Sequence, residues 1–430
     1  MSISPISPIV PYYAFNQPGE PIELFAGAAT IRNQPITARI TWECAHELDL
    51  NWTITHSTDQ WPGHGAIELQ VNRPHGSYRV AGSHRGGDHG WLDPISMSRP
   101  GAQLRSVTAH WLNLPDLPDD PWSQVANGWR ITVAARPDLA NILESIDRAH
   151  TIALTHSMNL ERHDGCLFSV EDVEPVLAAL QFGLSFGAGR WVSPTLPVGF
   201  DAIGEVVWER WSEDFCTPGS RSFVGEWLNF TREDDVRHLV DACVREFADE
   251  WQRTKVWIPA MATAIQANAR DLRVEQRIMT LLPGLEMVVH VMLRHDLGLG
   301  SSAYGSLGAA EKLRQALDSG TIPTSIDASH YPRLDAYRLD ELVATAASST
   351  PFVDGPTLTT RLRNHIIHPT PNPGGTPAQQ LRARVRSAAT FEAALLSHEY
   401  LLLLILKRLR YVGQYRPTAP SRPLADVPWI

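Results

Sequence analysis

Hydrophobic positions alternate singly with polar ones through the first half of the chain and recur at helical spacing through the second. Ile36, Ala38, Ile40 and Trp42 alternate with Thr37, Arg39, Thr41 and Glu43, the period of two expected of half-buried strands. Leu48, Leu50, Trp52 and Ile54 repeat the pattern, as do Ile67, Leu69 and Val71. Trp129 to Ala134 and Thr151 to Leu154 are further short strand candidates, and Gly and Pro clusters such as Trp61-Pro62-Gly63 punctuate the runs. Many short strands with turn signals predict sandwich-like sheets. One helix interrupts them. Ser169 can cap it with Asp172 three residues on, ahead of Val173, Val176, Leu177, Leu180 and Leu184. Trp191, Trp208, Trp211 and Trp227 read as core residues.

The period changes after Phe230. Thr231 and Asp234 form a capping signal, and Val236, Leu239, Val240, Cys243, Phe247 and Trp251 follow at helical spacing. Ile278, Leu281, Leu282, Leu285, Val288, Val289, Met292 and Leu293 mark a second apolar helix. Helices are predicted over 307–319, stopped by Gly320, and over 335–347. Pro356 opens another that runs to Ile367, and Thr376-Pro377 opens the longest, to Arg410. The expected fold class is therefore α+β: an irregular segment 1–20, a β-rich half 21–230, a helical bundle 231–412 and a tail 413–430.

Composition narrows the function classes. The 430 residues are 43% hydrophobic and 20% charged, the balance of a globular protein. The longest apolar run, Tyr400 to Leu406, falls short of a membrane span. No basic residue precedes Arg32, so the start does not read as a signal peptide. Four scattered cysteines form no CxxC pair and suit a reducing compartment. The expected setting is cytoplasmic, without a membrane partner. The net charge of −10 is uneven. Residues 361–430 hold ten Lys/Arg against three Asp/Glu, so a basic end on an acidic body fits either a polyanion footprint or a solvated helix surface.

One segment carries recognisable chemistry. In Arg363-Asn364-His365-Ile366-Ile367-His368-Pro369, Arg, Asn and His stand at offsets 0, 1 and 5, a pattern expected by chance roughly 0.04 times at this composition. Histidine titrates near neutrality and can move protons; arginine is always charged and grips phosphate through two N–H groups. Asn364 and His368 would share a helical face, with Arg363 about 140° round from His368. Pro369 disfavours helical geometry at His368, and the negative end of a helix dipole there favours a protonated imidazole. The bland alternative is an arginine paired to an acid, a local cap and a helix-terminal histidine.

The motif resembles the RNxxxH signature of HEPN domains, helical modules of prokaryotic defence and toxin systems, over about residues 233–412. The overall plan, a β-rich half before a HEPN domain, is similar to ApeA-like anti-phage proteins. The resemblance implies a metal-independent endoribonuclease in which a 2′-hydroxyl attacks the adjacent phosphate, with Arg363, His368 and Asn364 as catalytic residues, no cofactor and no metal. It also implies a homodimer with a composite site, RNA as partner, and a β-rich half that answers a phage or cellular trigger. Glu286 and His290 are candidates to line the same cleft, and Arg382 and Arg386 to hold backbone phosphates. The alternatives are a catalytically silent HEPN module for dimerisation or for binding RNA or a ligand, and a β-sandwich binder with a helical appendage. His365 with His368, and the stretch His84 to Gly90 with Asp93, are weaker ligand-like clusters.

Overall fold

The computed structural model describes residues 9–31, 33–44, 49–56, 65–86, 88–212, 214–219, 226–249, 257–345, 353–367, 377–419 and 422–430. It is an α+β protein with its strands mainly in the N-terminal half and its helices mainly in the C-terminal half. The first thirteen strands divide between two sheets. The first six, β1 (Ile22–Ile31), β2 (Gln34–Glu43), β3 (Asp49–His56), β4 (Gly65–Arg73), β5 (Gly76–Gly86) and β6 (His89–Leu92), form a closed antiparallel barrel in the order β1-β2-β3-β6-β5-β4. Pairing of Ala29 with Val71 and of Ile31 with Leu69 closes it, and closure removes the free edges that invite aggregation. The alternation read in β2 and β4 is the barrel's buried set: Ala38, Ile40, Trp42, Ile67, Leu69 and Val71 pack with Trp52 and Val80.

The second sheet has seven antiparallel strands: β7 (Ile95–Ser98), β8 (Ser106–Leu112), β9 (Trp122–Ala126), β10 (Trp129–Ala135), β11 (Leu154–Arg162), β12 (Ser193–Phe200) and β13 (Val206–Trp211), in the order β7-β13-β12-β8-β11-β10-β9. Helix α1 (Leu139–Ala149) joins β10 to β11, and α2 (Val170–Ala188) joins β11 to β12. Ser169 and Asp172 make the expected reciprocal capping box at the start of α2, and Gly189, left-handed at φ 65°, ends it. Twelve of the 19 residues of α2 are buried, so this helix lies inside the protein rather than on it. Gly183 and Gly187 let it approach its neighbours closely. A Cβ on Gly183 would meet Cys243 Sγ at 2.8 Å, and one on Gly187 would meet Leu228 at 2.9 Å.

The C-terminal half contains α3 (Glu233–Asp249), α4 (Ile258–Gln266), α5 (Val274–Val291, continued by one π-helical turn, Met292–Asp296), α6 (Ser301–Ser306), α7 (Ala309–Ser319), α8 (Pro332–Thr345), α9 (Gly355–Ile367) and α10 (Pro377–Leu409). A short pairing of β14 (Gln414–Tyr415) with β15 (Ala425–Asp426) ties down the tail. One hydrophobic core runs from Trp111 of β8 through α2 to α5, α9 and α10, so the switch from strands to helices is not a break in packing. A second core fills the barrel and takes in Met97, Leu112, Leu196, Val198 and Trp211 of the second sheet, and a buried carboxylate adds a polar tie between the two. Glu209 of β13 takes Arg73 Nη2 at 2.7 Å and Nε at 3.1 Å, and the Tyr13 hydroxyl at 2.9 Å.

Three readings of local sequence need correction, and the irregular start holds with an addition. Thr231 does not cap α3; its hydroxyl donates to Asn229 Oδ1 at 2.8 Å in a turn before the helix. The stretch 9–20 is irregular yet anchored, because Asn16 Oδ1 accepts from the Leu154 amide at 2.9 Å and Tyr13 is buried. Trp208, Trp211 and Trp227 are buried as expected, whereas Trp191 is only half-buried. The seven-residue apolar run understated α10. By length and composition this is the one helix among the described residues able to cross a membrane, but 83% of its apolar window is buried inside the protein. It is the central helix of the bundle. Leu48, the Trp61-Pro62-Gly63 turn and Trp251 lie outside the described residues.

Candidate functional site

Helix α9 presents the Arg-Asn-His segment, and its start is built to hold it. Asp354 Oδ1 accepts from the Thr357 amide at 3.0 Å and from its hydroxyl at 2.6 Å, capping the first turn. Arg314 Nε on α7 lies 2.7 Å from Asp354 Oδ2. Against the raising effect of burial, these contacts draw the Asp354 carboxyl below its usual value. Close contact of Gly355 with Tyr400 sets the helix against α10; a Cβ there would overlap the Tyr400 hydroxyl.

From this base Arg363 reaches into a cleft between α5, α6, α7 and α9. The cleft encloses about 220 Å³ and is lined by Leu282, Leu285, Glu286, Val289, Tyr304, Lys312, Leu313, Thr359 and Arg363. Arg363 Nη2 lies 2.8 Å from Glu286 Oε1, with the arginine side chain 23% exposed and the glutamate 58%. The Arg363 Nε is buried with no hydrogen-bond partner among the described residues. Across the cleft Lys312 Nζ sits 4.1 Å from the centre of the Tyr304 ring, a cation–π contact. Burial, and then the Glu286 carboxylate, raise the Tyr304 phenol above its ordinary pKa.

Of the two expected cleft residues, Glu286 lines it. His290 stands at the margin, edge-on to Tyr304 at 5.1 Å. Its pKa is lowered by burial first and then by His295, Arg294 and Lys312.

The other candidates point elsewhere. Asn364 is exposed. His365 is also exposed and turns toward α10, where Arg386 Nη1 lies 3.3 Å from its Nδ1. Burial and the Arg386 charge lower the His365 pKa. Arg386 is thus next to α9. His368 and the Arg382 side chain lie outside the described residues. Consecutive residues 363, 364 and 365 therefore face a cleft, solvent and a neighbouring helix, as 100° per residue dictates. Arg408, at the end of α10, is engaged within the fold, 3.1 Å from Glu246 and 3.3 Å from Asp296.

Sequence reasoning did not single out Lys312 or Tyr304. Their membership depends on how α6 and α7 fold back over α5, which no local pattern encodes. The stretch from His84 falls on the β5–β6 hairpin, where His84 is buried against Trp52 and the register shifts between His84 and Gly86. Among the described residues no group of three His, Cys, Asp or Glu is placed to hold a metal ion.

Fold and cleft together define a barrel-and-bundle α+β protein with a cationic cleft in the bundle. Its similarities run to YopA: a family model described as the YopA central domain matches residues 99–222, and one described as the YopA C-terminal domain matches residues 255–424. The chain is 28% identical over 247 residues to the SPbeta prophage-derived uncharacterized protein YopA of Bacillus subtilis (strain 168), covering 56% of this chain and 52% of that protein. The chain thus spans about half the length of this relative. No solved structure matches.

Proposed function

We propose that the helical half is a HEPN-type, metal-independent endoribonuclease, acting in the cytoplasm as a homodimer. The observation that carries this reading is the place of Arg363. It is a partly buried cation in an open cleft beside Lys312, on the last turns of the helix that leads directly into His368. In this mechanism the 2′-hydroxyl of the RNA gives its proton to solvent and attacks the adjacent phosphorus, forming the 2′,3′-cyclic phosphate as the bond to the 5′-oxygen breaks. Arg363 stabilises the phosphorane charge, His368 gives its proton to the leaving oxygen, and Asn364 orients the phosphate. Arg386, beside α9, holds a flanking phosphate, and Arg382 lies one turn before it in the same helix. Two copies of α9 facing each other complete the site. The barrel-bearing half answers a phage or cellular trigger. A prophage-derived relative supports a role in phage conflict, as a defence or toxin protein.

A second reading is favoured by the Arg363–Glu286 pair. A guanidinium already neutralised by a carboxylate at 2.8 Å suits a silent module that dimerises or docks RNA without cutting it. Induced expression separates the two. Under the nuclease reading the wild type arrests growth and Arg363→Ala and His368→Ala do not; RNA is cut in excess EDTA and carries 2′,3′-cyclic phosphate ends. Equal growth for all three, with RNA binding retained, supports the silent module.

A further inference from the structure

The arginines around the Arg363 cleft are engaged within the fold. Arg363 itself meets Glu286 at 2.8 Å. On α7, Arg314 holds Asp354 at 2.7 Å and also pairs with Glu311. At the end of α5, Arg294 donates to the Leu299 carbonyl and, at 2.7 Å, to the Ser301 hydroxyl. Lys312 differs. It lines the cleft half-buried, and its ammonium makes no ion pair and no hydrogen bond among the described residues. What it touches is the ring of Tyr304, 4.1 Å from the ring centre.

An aromatic ring attracts an ammonium through its quadrupole and leaves the three N–H donors open to other acceptors. Tyr304 therefore fixes the place of Lys312 without neutralising it. The nearby carboxylates are held by arginines: Glu286 by Arg363, Glu311 by Arg314, and Asp296, on the turn that ends α5, lies 3.3 Å from Arg408. Glu286 is the one carboxylate in the lining, against Arg363 and Lys312, so the cleft keeps a positive charge. The two contact pairs are neighbours, because the Glu286 carboxylate that meets Arg363 also acts on the Tyr304 phenol. His290, edge-on to Tyr304, and His295 beside it add no negative charge at the margin.

We infer that Lys312 is a second phosphate-binding residue of this cleft: positioned by Tyr304, it takes the RNA phosphate next to the one held by Arg363. The inference rests on RNA occupying the cleft, and not on the RNA being cut. Consecutive phosphates of a strand are separated by one nucleoside, and cations on α7 and α9 grip a pair of them. A phosphate at Lys312 displaces no carboxylate, whereas one at Arg363 must move Glu286 aside.

Competition with a labelled single-stranded RNA on the full chain tests this, using AMP, ADP and adenosine 3′,5′-bisphosphate. The bisphosphate is the smallest RNA fragment with two consecutive phosphates; ADP carries two with no nucleoside between them. In wild type the bisphosphate is expected to compete about tenfold more strongly than AMP or ADP. Lys312→Gln is expected to remove that advantage and to lower the salt slope of RNA binding by about 0.7, and Lys312→Arg to restore most of both. Tyr304→Phe, which keeps the ring, is expected to retain the advantage, and Tyr304→Leu to reduce it. A bisphosphate no better than ADP in wild type, or an advantage unchanged in Lys312→Gln, overturns the inference. Cleavage followed in the same samples separates this from the nuclease reading. Uncut RNA with the bisphosphate advantage intact counts against the nuclease alone; cut RNA without that advantage counts against Lys312 alone.

Discussion

Arg363 Nη2 sits 2.8 Å from Glu286 Oε1 across the cleft between α9 and α5. The glutamate is 58% exposed, so the pair adds little to folding, of the order of 0–1 kcal/mol. Its consequence is for binding, because an incoming phosphate must displace the carboxylate. Glu286→Gln is expected to leave the unfolding midpoint in urea almost unchanged and to raise RNA affinity several-fold at low salt. Arg363→Gln in the same assay is expected to lose it. An unchanged affinity in Glu286→Gln would show that RNA does not reach this cleft.

Three buried histidines make folding pH-dependent. Burial lowers His110 and His398 to about 4 and His156 to about 3, from 6.5. Neutral His110 fits its contact, since its Nε2 accepts from the Tyr13 amide at 3.2 Å. The unfolded chain takes up these protons near pH 6.5 and the folded chain only near 4 or below. Stability is therefore full above pH 6.5 and falls as pH drops toward 4, by about 1.4 kcal/mol per pH unit for each histidine. Urea melts between pH 7 and 4.5 read the slope, and His398→Gln should reduce it by about a third. A flat profile would mean that these rings are charged in the fold.

Glu399 is the polar hub under the tail. Its carboxylate accepts from Tyr331 at 2.9 Å, Thr418 at 3.0 Å, Tyr415 at 3.3 Å and Arg422 at 2.9 Å. Glu399→Ala leaves buried donors unsatisfied and is expected to cost about 3 kcal/mol in denaturant unfolding. Glu399→Gln, which keeps an acceptor, should cost less than half as much.

The barrel depends on two glycines where strands approach closely. A Cβ on Gly82 would overlap the Trp91 carbonyl, and one on Gly90 would overlap the Ser83 carbonyl and meet Trp52 at 2.5 Å. Backbone cannot move aside as a side chain can, so each Gly→Ala change should cost about 3 kcal/mol or more. Hydrogen exchange should locate the lost protection in β3, β5 and β6. Loss confined to the helices would contradict this packing.

Local patterns carried much of the fold. The alternation in β2 and β4, the Ser169–Asp172 box, the stop at Gly320 and the openings at Pro356 and Pro377 each depend on neighbours within a few residues. Pro377 begins α10, and α7 ends at Gly320, although Gly320 stays right-handed at φ −91° and the left-handed residue is Thr321 at φ 57°. Strand β11 escaped beyond its first residue because it buries Thr155, His156 and Ser157, and a polar run gives no hydrophobic period. Its neighbours on both sides, β8 and β10, supply the partners that make burial possible.

By itself the chain determined the α+β class and those elements whose hydrophobic period or capping residues are local, and that Arg363, Asn364 and His365 leave α9 in three directions, because these follow from backbone period. Only the tertiary structure decided that the barrel closes through β1 and β4, that Glu286 and Lys312 share a cleft with Arg363, and that Arg190 lies buried against Asn113. Those contacts join residues far apart in sequence. They are selected by how whole elements pack, and a single side chain's identity does not announce them.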